Sequence, residues 1–175
     1  MGRLGRPAAR DRLSTDVDLA RFDPADAATV SGWARTPEEV RAWCSEPSAP
    51  VPPARIAAWG EPDDVRAFAG RVDGALVAYG ELWLDDEEVE LARLVVAPEH
   101  RGRGRGRRLV LALTERAREH AAAVCLRVRP ENAVARRCYE RAGYRRATPE
   151  QERAWNEGQP TAYVWMLAGP EPPSG

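Results

Sequence analysis

The sequence predicts an α/β (α+β) domain with a central mixed, mostly antiparallel sheet of six to seven strands and about four flanking helices. Three observations predict it. Ala67–Val72 and Ala75–Leu84 flank Asp73-Gly74, and Asp-Gly supplies the positive φ of a tight hairpin turn. After the acidic turn Asp85–Glu88, Val89–Val96 returns as a further antiparallel strand. An apolar helical stripe (Leu109, Ala112, Leu113, Ala117) and a β-branched run, Val124–Val128, then complete a strand–helix–strand unit. Such a unit implies a right-handed crossover and a parallel pair.

The elements follow in chain order. Residues 1–12 are basic and Gly-rich and read as a disordered tail ahead of a single domain spanning 13–168. Val17, Leu19 and Phe22 suggest a first strand. Asp23-Pro24 gives a cap residue followed by proline at the first helical position, opening a helix that runs to about Trp33. Thr36-Pro37-Glu38-Glu39 is a capping box that starts a second short helix, with Val40 and Trp43 on one face. Ser45–Pro53 reads as a loop, and Ile56–Trp59 as a short strand or more of that loop. Asn132 caps a helix over Ala133–Ala142, closed by Gly143. Tyr144–Ala147 suggests a strand, Thr148-Pro149-Glu150-Gln151 another capped short helix, and Thr161–Leu167 the last strand. Residues 169–175 form a Pro-rich tail.

Composition excludes several function classes. In 175 residues the net charge is −1, so nothing argues for bulk attraction to nucleic acid or to a membrane surface. All 26 basic side chains are arginine. Cys44, Cys125 and Cys138 are odd in number and form no C-x-x-C, and with two histidines a metal site is not expected. No apolar run is long enough to span a bilayer and no secretory h-region is present, which makes a cytoplasmic setting the expectation.

The chemistry concentrates at Leu91–Leu109, which reads LARLVVAPEHRGRGRGRRL. Strand, glycine loop and helix start make an anion site: glycines allow close backbone approach, and the first helical N–H groups meet a phosphate at the positive end of the helix dipole. Three phosphate loops compete. The P-loop requires a Lys, and the chain has none. The dinucleotide fingerprint requires G-x-G-x-x-G, but Gly102, Gly104 and Gly106 give G-x-G-x-G. Arg101, Gly104 and Gly106 match R/Q-x-x-G-x-G/A, which resembles the acetyl-CoA diphosphate loop of the GNAT superfamily of N-acetyltransferases. Val96 and Pro98 supply the V-x-P that precedes that loop.

A second segment resembles the same family. Asn132, Ala135, Tyr139, Gly143 and Tyr144 follow N-x-x-A-x-x-x-Y-x-x-x-G-[FY], in the family's order after the first segment. The resemblance implies a GNAT fold in which the Leu94–Val96 strand splays from Val124–Val128. The backbone of Leu94, Val95 and Val96 would then bond the pantetheine arm of acetyl-CoA, which extends like a missing strand. It implies that Arg101, Gly102, Gly104 and Gly106 hold the diphosphate, while Arg103 and Arg105 face either phosphate or solvent. Asn132 is implied as a cofactor contact, beside its plain reading as a helix cap. Tyr139 is implied as the general acid for the departing thiolate; the alternative is an amphipathic core tyrosine. Glu90 is implied as the general base, often acting through water, where a partly buried carboxyl would have a suitably raised pKa. Its alternative is a solvent-facing charge continuing Glu87 and Glu88. Strict alternation groups Glu90 with Ala92, Leu94 and Val96, and a bulge would change that phase.

Acetyl-CoA is thus the expected co-substrate, with no metal. The acceptor is expected to be a small-molecule amine, the alternative being a peptide N-terminus, and the protein a monomer or homodimer. The acidic turn Asp85–Glu88 would help attract a cation. A rival class is an Arg-Gly nucleic-acid-binding module without catalysis; the apolar strand and patterned helix bracketing the repeats disfavour it.

Overall fold

A computed structural model describes residues 17–170. The tail expected at 1–12 lies outside the described residues, as does the second expected tail apart from Gly169 and Pro170. Gly169 is anchored: its N–H donates to Gly143 O (3.1 Å), and its carbonyl accepts from Arg118 (2.6 Å).

Seven strands form one sheet in the order β1-β2-β3-β4-β5-β7-β6. They are β1 (Asp18–Arg21), β2 (Val65–Val72), β3 (Ala75–Leu84), β4 (Glu88–Val96), β5 (Ala123–Val128), β6 (Tyr144–Arg146) and β7 (Val164–Ala168). Every neighbouring pair is antiparallel except β4–β5. The β2–β3 hairpin turns on Asp73 (φ 50°) and Gly74 (φ 80°), as Asp-Gly demands.

The helices are α1 (Ala27–Ser31), α2 (Pro37–Trp43), α3 (Pro53–Ala58), α4 (Arg105–Arg118), α5 (Ala133–Arg141) and α6 (Pro149–Asn156). A 3-10 turn, Pro24–Asp26, precedes α1, with Asp23 accepting from Ala25 N. The Thr36/Glu39 capping box forms at α2, and an equivalent Thr148/Gln151 box at α6. Two expectations need correction. Ile56–Trp59 is neither strand nor loop: Pro53 at the first helical position opens α3, which buries Ile56. Helix α4 begins at Arg105, four residues before the apolar stripe, because its first turn is arginine and glycine.

One sheet face packs on α4 and α5 and carries the main core, including Val77, Leu82, Val89, Leu91, Leu109, Leu113, Leu126 and Met166. Side chains such as Leu109 and Leu113 each contribute roughly 1.5–3 kcal/mol on full burial. The opposite face carries two smaller cores. One, with Val30, Val40, Ile56, Trp59 and Tyr79, lies under α1–α3. The other, with Cys125, Ala147 and Trp165, lies under α6. Between these two lids that face of the sheet carries charged side chains and an indole ring, among them Glu81, Trp83 and Arg127.

Candidate active site

The parallel pairing of β4 and β5 runs from Glu88–Ala123 to Leu91–Leu126 and stops. Beyond it, β4 pairs only with β3 and β5 only with β7. The backbone of Ala92–Val96 on that side thus borders a gap between parted strands, where an amide-bearing ligand can complete the ladder.

A bulge shapes β4 beside the gap. Tyr79 pairs with Val95 but Glu81 with Ala92, so β4 carries one extra residue here. Arg93 takes φ 47°, unusual for a residue with a Cβ. Its carbonyl is held by Trp43 Nε1 at 2.8 Å and its guanidinium by Glu81 at 2.9 Å. The bulge reverses the phase of the strand. Leu94 and Val96 join Val89 and Leu91 on the α4 face, while Glu90 lies on the opposite face with Val95 and Ala97. Strict alternation would have put Glu90 with Leu94 and Val96; the bulge separates them. Gly80, opposite the bulge, has no room for a side chain: a Cβ would lie 2.7 Å from Leu113 and 2.8 Å from Leu94.

Glu90 stands one residue before the strands part, paired with Trp83 on β3 and Cys125 on β5. Its carboxylate meets Arg127 at 3.1 Å. Burial pushes its pKa up to about 7, with Glu88 adding to the rise and Arg127 and Arg93 opposing it. Arg127 is packed among the rings of Trp83, Tyr163 and Trp165 and donates to Gln159. Asn156 at the end of α6 pins both backbone polar groups of Tyr163 and accepts from Trp165 Nε1.

The glycine loop is built as a cradle at the far end of the gap. Gly102 and Gly104 have φ 72° and 77°, and Gly104 is the N-cap of α4 with no side chain capping the helix. The first helical bond runs from Arg108 N to Gly104 O, so the amides of Gly106 and Arg107 precede the helical ladder. A Cβ on Gly106 would sit 3.4 Å from Cys138 Sγ and 3.9 Å from Val96, so loop, β4 end and α5 converge there. Arg103 is exposed and Arg105 half-buried. Arg101 faces elsewhere. Its guanidinium donates to Val96 O, Trp33 O and Glu39, which ties the loop to the turn after α1 and to α2.

Tyr139 is half-buried on α5 and packs against the α4-side core, across the sheet from Glu90. Burial above all raises its pKa, so the hydroxyl keeps its proton at neutral pH. Asn132 is a helix cap: its side chain accepts from Ala135 N at 3.1 Å.

Sequence reasoning missed Glu81, Trp83, Arg93 and Arg127. Glu81 is fully buried and accepts from Tyr79 Oη, Trp83 Nε1 and Arg93. The signal available was period two: Tyr79, Glu81 and Trp83 share one face of an otherwise apolar strand.

A family model described as the acetyltransferase (GNAT) family matches residues 31–144, about two thirds of the chain. The chain belongs to the acetyltransferase (GNAT) family. It is therefore an acetyl-CoA-dependent N-acetyltransferase, an enzyme of the acyltransferase class. Solved structures share its fold. AAC(6′)-Ib in complex with ribostamycin and coenzyme A is 21% identical with a TM-score of 0.70, covering 87% of this chain and 93% of that one. A spermidine N-acetyltransferase SpeG chimera from Vibrio cholerae and hSSAT is 18% identical with a TM-score of 0.68, covering 88% and 95%. An N-acetyltransferase of a ribosomal-protein alanine from Escherichia coli is 18% identical with a TM-score of 0.61, covering 87% and 92%. No curated protein matches the sequence. Among the described residues, no helix is long and apolar enough to cross a membrane.

Proposed function

We propose that this GNAT enzyme moves the acetyl group of acetyl-CoA to the primary amine of a small molecule by direct attack on the thioester. The observation that carries this reading is the parting of β4 from β5 after Leu91, with Glu90 on one face of the gap and Tyr139 on the other. The pantetheine arm pairs with Leu94, Val95 and Val96. The diphosphate lies on Gly102–Gly106 and the first amides of α4, where the helix dipole and the flanking Arg103 and Arg105 favour negative charge. Arg101 shapes this cradle by anchoring it to the turn after α1 and to α2, rather than by offering its guanidinium. Asn132 serves the site by starting α5, which carries Tyr139.

Three groups divide the chemistry. Glu90, at a pKa of about 7, is half ionised near neutral pH and takes a proton from the acceptor ammonium, directly or through water. The neutral amine then attacks the carbonyl held beside the bulged strand, and the oxyanion is met by backbone N–H. As the tetrahedral intermediate collapses, the C–S bond breaks and Tyr139 gives its proton to the sulfur, and the proton that the acetylated nitrogen sheds returns through water to the phenolate. Burial that raises the tyrosine also raises a thiol in the same apolar place, so the transfer stays nearly matched. Base and acid act from opposite faces and so never compete for one proton.

The small-molecule acceptor is supported by closure at one end of the groove. Arg129, just past β5, donates to Arg41 O and Ser45 Oγ, so the loop after α2 is bound to the sheet. A cavity of about 250 Å³ remains there. AAC(6′)-Ib with ribostamycin and the spermidine enzyme are relatives in fold that handle small amines. The test is acetyl transfer to a panel of small amines and short peptides, read by mass, in the wild type and Glu90→Gln. An alkyl amine near pKa ~10.4 is almost wholly protonated at neutral pH, whereas an α-amine near ~8 is partly neutral. Glu90→Gln should therefore cost more on the alkyl amine; equal loss on both removes the base assignment. Turnover of peptide N-termini alone would favour a protein acceptor.

A further inference from the structure

Across the acceptor face of the sheet, arginines and aromatic rings alternate. Arg93 stacks on Trp59 (4.3 Å) and Trp83 (5.0 Å). Arg127 stacks on the other side of the row, on Trp83 (5.3 Å) and Tyr163 (5.2 Å). Arg129 continues it from Tyr163 at 5.8 Å. The first two guanidiniums have tight counter-ions, Glu81 at 2.9 Å and Glu90 at 3.1 Å. Arg129 differs. Its side chain is only 17% exposed, yet among the described residues its sole carboxylate is Glu131, at 3.9 Å and 68% exposed. Its Nε and Nη2 are spent on Arg41 O and Ser45 Oγ, and Nη1 is the corner that faces Glu131 across that longer distance.

That fork borders the cavity of about 250 Å³ between the α2 end, the loop after it and the end of β5. Arg41 lines the same cavity. Glu46 also lines it, but its carboxylate is bonded to Arg55 at 3.1 Å. The cavity therefore holds two arginines against one carboxylate that is already paired. A half-buried guanidinium whose one anion is distant and solvent-exposed gains from a closer one.

We propose that the acceptor carries a carboxylate, bound by Arg129 with Arg41, while its amine lies at Glu90. This rests on the reading of Glu90 as the base. The guanidiniums of Arg127, the partner of Glu90, and Arg129 both lie against the ring of Tyr163, at 5.2 and 5.8 Å from its centroid, so Glu90 and Arg129 are within reach of one short ligand. The acceptor class is then a short amino carboxylate whose two ends reach Glu90 and Arg129. An ω-amino acid of five carbons and a dipeptide both belong to that class. A polycation is disfavoured, because Glu81, the other carboxylate of the row, is fully buried and bonded to Arg93.

The test uses the purified full chain with acetyl-CoA and four acceptors: 5-aminovalerate, glycylglycine, pentylamine and cadaverine. The wild type should prefer one of the two carboxylates, and which one tells a free amino acid from a peptide end. Arg129→Gln should cut the ratio of kcat/KM for the carboxylate to that for pentylamine by about tenfold or more, the usual scale for losing a charged hydrogen bond. The loss should fall in KM rather than kcat, and Arg129→Lys should restore part of it. A wild type that prefers cadaverine or pentylamine overturns the proposal, as does failure to acetylate either carboxylate. A variant that loses activity equally on all acceptors overturns it too, by showing that Arg129 only ties the loop to the sheet. Calorimetry with acetyl-CoA and no acceptor separates the two readings: binding without carboxylate preference sinks this inference alone, whereas absence of binding sinks the coenzyme site as well.

Discussion

Replacing Arg127 by methionine isolates the electrostatics of Glu90. Methionine keeps an unbranched side chain for the cage of Trp83, Tyr163 and Trp165 but removes the charge. With the charges 3.1 Å apart, an effective dielectric of about 20 gives an attraction of roughly 5 kcal/mol, an upper figure because water and Arg93 share the screening. An opposite charge this close lowers a carboxyl pKa by about 1–3. Glu90, at about 7 with Arg127 present, then titrates at roughly 8–10 in Arg127→Met. At pH 7 the ionised fraction falls from one half to about a tenth or less, so kcat/KM should drop about fivefold or more and recover in alkaline buffer. The assay is kcat/KM against pH with one acceptor for both proteins; the acceptor's own titration is common to both curves. An ascending limb that stays in place while the plateau falls would refute Glu90 as the titrating base. Stability should follow the same group. Its folded pKa lies above the ordinary 4.5, so its stabilising contribution is complete below 4.5 and is lost as the pH rises through about 7. Arg127→Met should move that loss to higher pH.

Three further perturbations probe other parts of the site. Tyr139→Phe should lower kcat by about 10²–10⁴ on every acceptor and leave acetyl-CoA affinity unchanged, because the hydroxyl acts on the departing sulfur; full activity would show that another group or water supplies the proton. Gly104→Val places a β-branched residue at φ 77° and should weaken acetyl-CoA binding in calorimetry. The strain is about 1–3 kcal/mol, and a wild-type affinity would rule out the diphosphate placement. Glu81→Leu leaves Arg93, Tyr79 Oη and Trp83 Nε1 without their acceptor. Breaking a buried pair this way costs about 3–5 kcal/mol in urea unfolding, and a loss under about 1 kcal/mol would mean that the cluster does not hold the bulge.

Local chemistry was legible in the sequence wherever one residue type satisfies one backbone need. Asp73-Gly74 turns the hairpin, and Thr36 and Thr148 cap their helices as their spacing demands. The strand, glycine loop and helix over Val89–Arg118 could be read because glycines and apolar periodicity lie next to one another in the chain. Helix α3 was hidden because six residues opened by proline give too short an apolar pattern to tell helix from strand. The bulge at Arg93 was invisible as a residue type, since arginine has no preference for positive φ. Arg101 could be matched to a motif, but its acceptors Glu39, on α2, and Trp33, in the turn after α1, lie 62 and 68 positions away. The row of arginines and rings is wholly tertiary: β3, β4, β5, the approach to β7 and the end of α3 contribute to it, and only the folded sheet with its lid brings them together.

The central claim is that acetyl-CoA fills the gap between β4 and β5, with Glu90 and Tyr139 on opposite sides of its thioester. A crystal structure with bound coenzyme A tests this most directly. The account predicts pantetheine amides bonded to the backbone of Leu94–Val96, the diphosphate on Gly102–Gly106 and the first amides of α4, and the sulfur within hydrogen-bond reach of Tyr139 Oη. Coenzyme bound on any other surface, or a sulfur remote from Tyr139, would contradict it.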